Sequence, residues 1–502
     1  MGSQEESETV VGAAALSGDK TPSQVETDEL PSPVVTAISR KSSVLMVVVS
    51  GLALLSDGYN IQVVGYMYPI LSQLYPEAFT SDIKTRLSNA LLVGGIVGIL
   101  FFGWAIDRLG RRTGIFWSTF FLVLGVVLTT AAHGTTPRGL FWMMVVGRGV
   151  SGFGFGGEFA VAAVGSTEAA EETRPRLRAL IVGVATTFAV DLGFVVGGIV
   201  SIVVVEAYGR GASDGVWRVT FGIGFVLPLA LLFFRLRLVN STQYRRHVLK
   251  SRIPYRLCVR RYWKPMLGTI GVWFFYDFVV YPFGVFATTI IGTLNPQNTL
   301  VQNIGFGTVV NCFYLPGAFL GGFLMDRIGR KNTVTLGFAL WAVMGFILGG
   351  ALGPIQSVFP LFVVLYGIFL SVGEMGPGVG NFVCSSESFP TPIRGHFLGL
   401  AGAFGKAGAT IGSEVFAPIQ NRFADPQKGV QAVFLIGAAF AAVGGLIAWF
   451  LLPDMTGRDL EEEDVRFRRY LEENGYEGVY GESMAAEIRS TAFKVGREST
   501  KR

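Results

Sequence analysis

The stretch Gly103-Trp-Ala-Ile-Asp107-Arg-Leu-Gly-Arg-Arg112 occurs a second time, with few changes, as Gly322-Phe-Leu-Met-Asp326-Arg-Ile-Gly-Arg-Lys331. The two copies lie 219 residues apart in a chain of 502 residues. Pairs of acidic residues repeat at nearly the same spacing, namely Glu168 with Glu387 and Asp57 with Asp277. Three pairs at one spacing indicate that the chain consists of two duplicated halves.

Long apolar runs surround both copies of this stretch. Half of all residues are hydrophobic and 15% are charged, whereas an average soluble domain has about 25% charged residues. The 66 glycines suit helices that approach each other closely in lipid. Runs long enough to cross a bilayer occur roughly at residues 44–70, 88–106, 114–133, 140–166, 179–205, 218–238, 266–291, 303–325, 333–352, 357–384, 396–417 and 430–452. We therefore predict an all-α membrane protein with twelve transmembrane helices in two pseudo-symmetric six-helix bundles.

The charge distribution predicts the domain limits and the topology. No acidic residue lies between Gly215 and Tyr276, and eight basic residues crowd the second half of that interval. Loops this basic stay in the cytoplasm, so we expect both termini to be cytoplasmic, in a protein of the plasma membrane. The predicted regions are a disordered tail at 1–42, bundles at 43–238 and 266–452, a basic linker at 239–265, and a tail at 453–502 that is helical around 461–473.

The seventh run contains an acid between two aromatic residues. Trp273, Asp277 and Tyr281 are spaced four residues apart, so they share one helix face, and Pro282 loosens the helix beside them. An ionised Asp at the bilayer centre costs about 2.5–3.5 kcal/mol. Asp277 is therefore expected to face protein or water, either at a functional site or as a paired acid in a buried aromatic stripe.

Other ionisable residues lie inside the apolar runs, and a purely structural bundle would not carry so many. Lys406 lies well inside the eleventh run and needs an anion, either Asp277, Glu414 or an anionic substrate. Arg148 is expected near the start of the fourth run. Asp191 and Glu374 lie either at the rims of their helices or deeper, and the sequence leaves both readings open.

Several functional classes find no support in the sequence. The glycines of Gly152-Phe-Gly154-Phe-Gly-Gly157 match a dinucleotide-binding pattern, but they lie in an apolar helix and favour close helix packing instead. No ATP-binding loop motif occurs, so we do not expect ATP to drive this protein through its own chain, and we expect no cofactor. The three cysteines are too few and too scattered for a metal cluster. The basic residues flank apolar runs, which argues against nucleic-acid binding, and no catalytic constellation indicates an enzyme.

The duplicated stretch resembles the signature of the major facilitator superfamily. The resemblance implies that these loops form a cytoplasmic gate through charge pairs with neighbouring helices. The implied gating residues in the loops are Asp107, Arg108, Arg111, Asp326, Arg327 and Arg330. Their implied partners on neighbouring helices are Glu168, Arg178, Glu387 and Arg394.

Other motifs resemble the phosphate:proton symporters, and in detail the sister group of fungal glycerophosphoinositol and glycerophosphocholine permeases. The motifs that carry this resemblance are Ser56-Asp57-Gly-Tyr59, Gly-Gly-Glu158, Tyr276-Asp-Phe-Val-Val-Tyr-Pro-Phe-Gly-Val-Phe286, Gly376-Pro-Gly378, Pro392-Ile-Arg-Gly-His-Phe397 and Gly405-Lys406. Where phosphate symporters carry Asn, Tyr and Gln, this chain has Gly378, Phe159 and the segment Thr186-Thr-Phe-Ala. These changes argue for a larger pocket and a phosphate that carries a substituent.

The resemblance implies roles for individual residues. Lys406 is expected to bind the phosphate of an incoming glycerophosphodiester, and Trp273 and Tyr281 are expected to contact its glycerol or headgroup. Asp277 would compete with the substrate for Lys406 and release it on protonation. Further contacts are expected from Thr186, Thr187, Phe159 and Asn381. Further proton carriers are expected at Asp57 and Glu158.

The sequence leaves rival functions open. The nearest is an inorganic phosphate:proton symporter, against which Gly378 and Phe159 argue. A carrier of sugars or other neutral solutes is disfavoured by Lys406 and the acids. A nutrient receptor that binds the solute without moving it across the membrane belongs to a different class. In each case we expect a monomer in the lipid bilayer.

Overall fold

The structure, a computed structural model, describes residues 33–109, 111–235 and 252–476. Within these ranges the chain is helical and contains no β-strand. Residues 33–39 belong to a separate unit from residues 40–502. The long helices are α1 (Pro33–Leu74), α2 (Ser81–Leu109), α3 (Arg111–Thr130), α4 (Pro137–Thr173), α5 (Pro175–Ala207), α6 (Asp214–Phe234), α7 (Tyr255–Val285), α8 (Leu300–Ile328), α9 (Arg330–Gly350), α10 (Phe359–Glu387), α11 (Thr391–Asn421) and α12 (Pro426–Leu451). Shorter helices are Ala287–Leu294, Leu352–Gln356 and Leu460–Glu473.

The twelve long helices correspond to the twelve predicted runs. Ten of them are long and apolar enough to cross a membrane. The other two, α4 with 37 residues and α11 with 31, exceed the ~20 residues that a crossing needs. The predicted all-α, multi-pass membrane architecture is therefore confirmed.

Two helices begin earlier than the hydropathy suggests. Helix α1 begins at Pro33, so the predicted disordered tail at 1–42 is helical in its last ten residues. Helix α7 begins at Tyr255, inside the predicted linker 239–265. Both starts carry a proline at or next to the first helical residue, a position that proline favours. Residues 1–32, 236–251 and 477–502, which hold the rest of the first tail, most of the rest of the linker and the end of the second tail, lie outside the described residues.

Glycines bring α4 close to two neighbours, as the glycine-rich segment predicted. A Cβ atom built on Gly152 would lie 2.9 Å from Leu91 Cα in α2. A Cβ atom built on Gly154 would lie 2.7 Å from Leu122 Cα in α3. Because backbone atoms cannot move aside cheaply, these two contacts require glycine.

Contacts between the two halves follow the duplication. Helix α2 packs against α11, and α5 packs against α8. In a repeat of six helices α2 corresponds to α8 and α5 to α11, so the two interfaces are equivalents of each other. The long contacts therefore run on both sides of a central space between the halves.

Helices α5 and α10 are each interrupted by one π-helical turn. The turn in α5 spans Val184–Phe188, and the turn in α10 spans Glu374–Gly378 and contains Pro377. The two turns face each other across the halves, since the Thr187 hydroxyl donates to the Gly378 carbonyl at 3.2 Å. Such turns often occur at functional sites.

A helix in the C-terminal region, Leu460–Glu473, packs on the start of α7 and α11. Its buried Asp464 accepts hydrogen bonds from the Thr391 backbone N–H at 2.6 Å and from the Thr391 hydroxyl at 2.7 Å. Its Phe467 and Leu471 form one apolar cluster with Cys258. The helix predicted around 461–473 is therefore present, and Asp464 satisfies donors at the first turn of α11.

Candidate functional site

A central cavity of about 80 Å³ lies between the two halves. Its lining combines aromatic rings with a few polar side chains, as is usual for small-molecule sites. Helices of both halves line it, with Gln62 from α1, Asp191 from α5, Asp277 from α7 and Lys406 from α11 among the polar members. The acidic and basic side chains of distant sequence segments therefore meet in one space.

Lys406 and Asp277 form an ion pair in this cavity. The Lys406 Nζ atom donates to Asp277 Oδ2 at 2.9 Å, and both residues are buried. Lys406 Nζ also lies 5.7 Å from the centre of the Phe159 ring. Glu414, the other anion considered from the sequence, instead accepts a hydrogen bond from Asn89 at 2.9 Å. Of the two candidate acids, Asp277 is the one that pairs with Lys406.

Three aromatic rings form the wall beside this ion pair. The Phe159 ring centre lies 5.6 Å from Trp273 and 5.0 Å from Phe382, and the Trp273 and Phe382 ring centres are 5.2 Å apart. A Cβ atom on Gly405 would lie 2.8 Å from Trp273 Cγ. The missing side chain at Gly405 thus leaves room for Trp273 to line the cavity next to Lys406.

Polar groups without a protein partner point to a site built for a ligand. The Tyr281 hydroxyl and both amide atoms of Asn381 are buried, line the cavity and have no hydrogen-bond partner. Buried polar groups are rarely left unsatisfied. Thr187 also lines the cavity, but Thr186 donates to the Val182 carbonyl of its own helix at 2.6 Å and is not among the described lining residues. The expected substrate contact at Thr186 therefore has no support.

Two acids that the sequence left between rim and core lie in the cavity wall. Asp191 and Glu374 are 2% and 1% exposed. Each has one carboxylate oxygen without a hydrogen-bond partner, and the other Glu374 oxygen accepts from the Tyr276 hydroxyl. The sequence contained a clue to Glu374, because this residue begins the segment that ends at Gly378. Its partner Tyr276 directly precedes Asp277. The rim alternative is wrong for both acids.

The other expected proton carriers lie away from the cavity. Asp57 and Glu158 are buried, but neither is among the described lining residues. The Thr119 hydroxyl donates to Glu158 at 2.7 Å, within the N-terminal half. Arg148 is also buried, and it donates to the backbone carbonyls of Leu87 at 2.7 Å and Asn60 at 3.2 Å. The structure therefore holds the Arg148 guanidinium through backbone carbonyls.

One end of the cavity is closed by charged groups, and we call the cluster of Arg178, Asp326, Arg330 and Glu387 the charged end. Glu387 accepts from Arg178 Nε at 2.7 Å and from Arg330 Nε at 3.0 Å. Asp326 accepts from the backbone N–H groups of Ala179 and Leu180 at 3.2 and 2.9 Å. Arg178 lies in α5 and Glu387 in α10, so these contacts join the two halves.

The implied gating residues divide into three groups. Arg178, Arg330, Glu387 and Asp326 meet at the charged end, where Asp326 in α8 binds Arg330 of α9 and backbone N–H groups of α5. Two others have different partners: Arg327 stacks on Phe323 at 4.8 Å, and Arg394 donates to the Phe389 carbonyl. Glu168 is buried. The side chains of Asp107, Arg108 and Arg111 lie outside the described residues.

Uncharged groups close the opposite end, which we call the neutral end. Gln62 donates to the Gly284 carbonyl and Thr288 donates to the Gly65 carbonyl, both at 2.8 Å. Asn311 donates to the Tyr66 hydroxyl, also at 2.8 Å. All three bonds join α1 to the C-terminal half. With both ends closed by contacts between halves, the cavity is occluded.

Comparison with known proteins places this geometry in context. Residues 44–254 and 245–467 match the model of the sugar (and other) transporter family. The chain is 37% identical over 440 residues to glycerophosphoinositol permease 1 of Candida albicans, covering 87% of this chain and 83% of that protein. It is 33% identical over 433 residues to a glycerophosphocholine permease of the same organism, covering 85% and 81%.

A solved structure shares the fold. The E. coli proton:xylose symporter XylE, in a complex with 6-bromo-6-deoxy-D-glucose, superposes with a TM-score of 0.70. The alignment covers 86% of this chain and 99% of that one at 18% identity. At this identity the likeness concerns the fold alone.

Proposed function

We propose that this chain, which belongs to the sugar (and other) transporter family of the major facilitator superfamily, imports glycerophosphodiesters together with protons by alternating access. The family comprises transporters, not enzymes. The observation that carries the proposal is the buried Lys406–Asp277 ion pair in an occluded cavity between the two halves. The names of the two Candida albicans relatives support the substrate class.

The Lys406–Asp277 ion pair offers a way to couple uptake of a proton to uptake of the phosphodiester anion. A buried ammonium requires an anion, because an unpaired charge in low dielectric is costly. Asp277 fills that role when the cavity is empty. A phosphodiester takes its place only if Asp277 is protonated, so one proton accompanies the substrate anion. Lysine suits a phosphate as a compact point charge, and the unpartnered Tyr281 hydroxyl and Asn381 amide add hydrogen bonds.

Two positions in the cavity wall favour a substituted phosphate over inorganic phosphate. Gly378 leaves space for the Glu374 carboxylate and the Tyr276 hydroxyl, since a Cβ atom there would lie 3.0 Å from that hydroxyl. Phe159 presents a ring without a hydroxyl next to Lys406, where phosphate symporters carry a tyrosine.

The same proposal includes the topology and the cycle. The charged end faces the cytoplasm, as do both termini, because basic loops remain inside. The two six-helix bundles, 43–238 and 266–452, rock about the cavity as a monomer in the plasma membrane. Opening to the cytoplasm separates Arg178 from Glu387, and the backbone N–H groups of Ala179 and Leu180 from Asp326. The proton gradient is the driving force, and no cofactor takes part.

Uptake into proteoliposomes tests the proposal. The purified protein is exposed to an inward proton gradient with labelled glycerophosphoinositol or glycerophosphocholine, and the wild type is compared with Lys406→Ala and Asp277→Asn. We expect uptake that an uncoupler abolishes and that falls by about a hundredfold in Lys406→Ala, as for loss of a buried charge partner. Lys428→Ala, which removes an exposed lysine of α12, is the matched control and keeps full uptake.

Asp277→Asn separates coupling from binding. With no carboxylate to compete, the variant is expected to bind and exchange substrate without a proton gradient but to lose uphill uptake. Uptake of inorganic phosphate without any diester would establish the rival symporter. Binding of a diester without flux would establish the receptor. Uphill diester uptake by Asp277→Asn would contradict the proposed coupling.

A further inference from the structure

The cavity combines one cation with an excess of acids. Among the described residues that line it, Lys406 carries the one basic side chain, while Asp191, Asp277 and Glu374 are acidic. Asp277 already pairs with Lys406. Asp191 and Glu374 interact electrostatically with each other, and no described basic side chain contacts either one. The cavity wall therefore contains two carboxyl groups besides the one that pairs with Lys406.

The protein does not fully satisfy the two extra acids. Asp191 Oδ2 and Glu374 Oε2 are fully buried and have no hydrogen-bond partner. Both residues line the cavity. Carboxylate oxygens that are buried without a partner are costly. A cation or a set of donors delivered by the substrate would satisfy them.

Aromatic rings surround these carboxylates. Tyr276 donates its hydroxyl to Glu374, and both Tyr276 and Tyr314 lie within electrostatic reach of Asp191 and Glu374. Phe194 packs edge-on against Tyr314 at 5.7 Å between ring centres. All three rings line the cavity. Carboxylates beside aromatic faces are the groups that recognise alkylated ammonium ions.

We infer that Asp191 and Glu374, with Tyr276, Tyr314 and Phe194, form a headgroup subsite for a cationic ammonium, so that the preferred substrate is a zwitterionic glycerophosphodiester such as glycerophosphocholine. The phosphate of such a substrate binds Lys406, and its ammonium neutralises the acid pair. A neutral inositol headgroup satisfies the hydrogen bonds of the carboxylates but leaves their charge uncompensated. This inference rests on the proposed function and specifies its substrate.

A paired transport assay tests the subsite. Proteoliposomes receive labelled glycerophosphocholine and glycerophosphoinositol in separate runs, with wild type, Glu374→Gln and Asp191→Asn. We expect wild type to favour glycerophosphocholine, and each variant to lower its kcat/KM by about tenfold or more while glycerophosphoinositol uptake changes far less. Glu206→Gln, which alters an exposed acid on α5 paired with Arg210, is the control and leaves both uptakes unchanged.

The outcomes separate the inference from the function on which it rests. Equal loss of both substrates in the variants would show that the acids act in proton transfer or structure, and would overturn the subsite. A wild-type preference for glycerophosphoinositol would also overturn it, leaving the proposed function intact. Uptake of neither diester by wild type would refute the proposed function itself.

A binding measurement on the wild-type protein tests the subsite without depending on whether the variants fold. Thermal unfolding of the purified protein is followed with glycerophosphocholine, glycerophosphoinositol and glycerol phosphate at equal concentration. Ligands stabilise the folded state according to their affinity, so glycerophosphocholine is expected to raise Tm the most. A larger shift with glycerophosphoinositol, or equal shifts with all three, would contradict the subsite.

Discussion

The two ends of the cavity close with different chemistry. At the charged end one carboxylate, Glu387, holds two arginines from different helices, and Asp326 satisfies the backbone N–H groups of Ala179 and Leu180. At the neutral end three separate hydrogen bonds join α1 to the C-terminal half. The contacts at the charged end therefore share partners, whereas the contacts at the neutral end are independent of one another.

This difference has a consequence for opening. A net hydrogen bond between neutral groups contributes about 0.5–1.5 kcal/mol, so the neutral end can open one bond at a time. At the charged end each buried arginine also pairs with a second acid, Glu171 for Arg178 and Asp326 for Arg330. Loss of the shared Glu387 carboxylate nevertheless breaks two buried pairs at once, which is more costly than loss of one neutral hydrogen bond. The charged end is therefore expected to open as a unit and to be the more sensitive of the two ends to substitution.

Glu387→Gln is expected to have the largest effect, because it leaves Arg178 and Arg330 without their shared carboxylate. Breaking a buried pair in this way costs about 3–5 kcal/mol. The measurements are Tm in detergent and maleimide labelling of Cys384, which is 2% exposed and lies one turn before Glu387, with the other two cysteines replaced by serine. We expect a lower Tm and fast labelling.

The control for this variant is Glu206→Gln, which breaks an exposed Arg–Glu pair at 2.7 Å. Exposed pairs contribute about 0–1 kcal/mol, so Tm and labelling should stay near the wild-type values. Equal effects of the two substitutions would contradict the expected sensitivity of the charged end.

Gly65→Ala tests the neutral end by steric means. A Cβ atom there would lie 3.1 Å from the Val285 carbonyl carbon and closer still to its oxygen. Overpacking of this kind costs about 1–3 kcal/mol. Cysteine placed at Ala287, which is 1% exposed, should become labelled while Cys384 stays protected. Gly305→Ala, at a glycine with open space around it, is the control; protection of the Ala287→Cys site would contradict the expectation.

Asp464→Ala tests whether the helix Leu460–Glu473 supports the charged end and not the neutral end. The variant loses two hydrogen bonds to Thr391, a loss comparable to that of a helix cap, about 0.5–2 kcal/mol. Labelling of Cys258, which is buried against this helix, is expected to rise, while a reporter at the neutral end does not change. Glu472→Ala, which removes an exposed pair with Arg468, should leave Cys258 protected.

Gln62→Ala is expected to have the smallest effect. It removes one hydrogen bond to the Gly284 carbonyl, a change of about 0.5–1.5 kcal/mol. Labelling of cysteine at Ala287 should rise by about two- to tenfold, the equivalent of that free energy. A loss as large as that of Glu387→Gln would show that the neutral end is also cooperative.

Much of the fold follows from the sequence because its signals are local or repeated. Apolar runs predicted the twelve helices, and the repeat predicted two halves. The pairing of Lys406 with an acid such as Asp277 was predictable, because a lone buried ammonium is costly and the sequence offers few candidate anions. The starts of α1 and α7 were missed because helix formation there depends on proline positions and packing that a hydropathy pattern does not record.

The site was less predictable where helix geometry departs from 3.6 residues per turn. Asp191 lies just after the π turn of α5, and Glu374 lies at the start of the π turn of α10. An extra residue in a turn rotates the following face by about 100°, and the hydropathy pattern records neither the π turns nor the depth of these two acids. The partners of Asp326 were missed for another reason: they are backbone N–H groups of a distant helix.

The π turn of α5 also sets the angle between the charged end and the cavity within a single helix. The turn separates Arg178 at the charged end from Asp191 in the cavity wall. Deleting one residue from this turn would restore a regular helix and rotate Asp191 relative to Arg178 by about 100°. Helix α5 is therefore expected to tolerate substitution more readily than a change of length, because one added residue fixes how its two functional segments face.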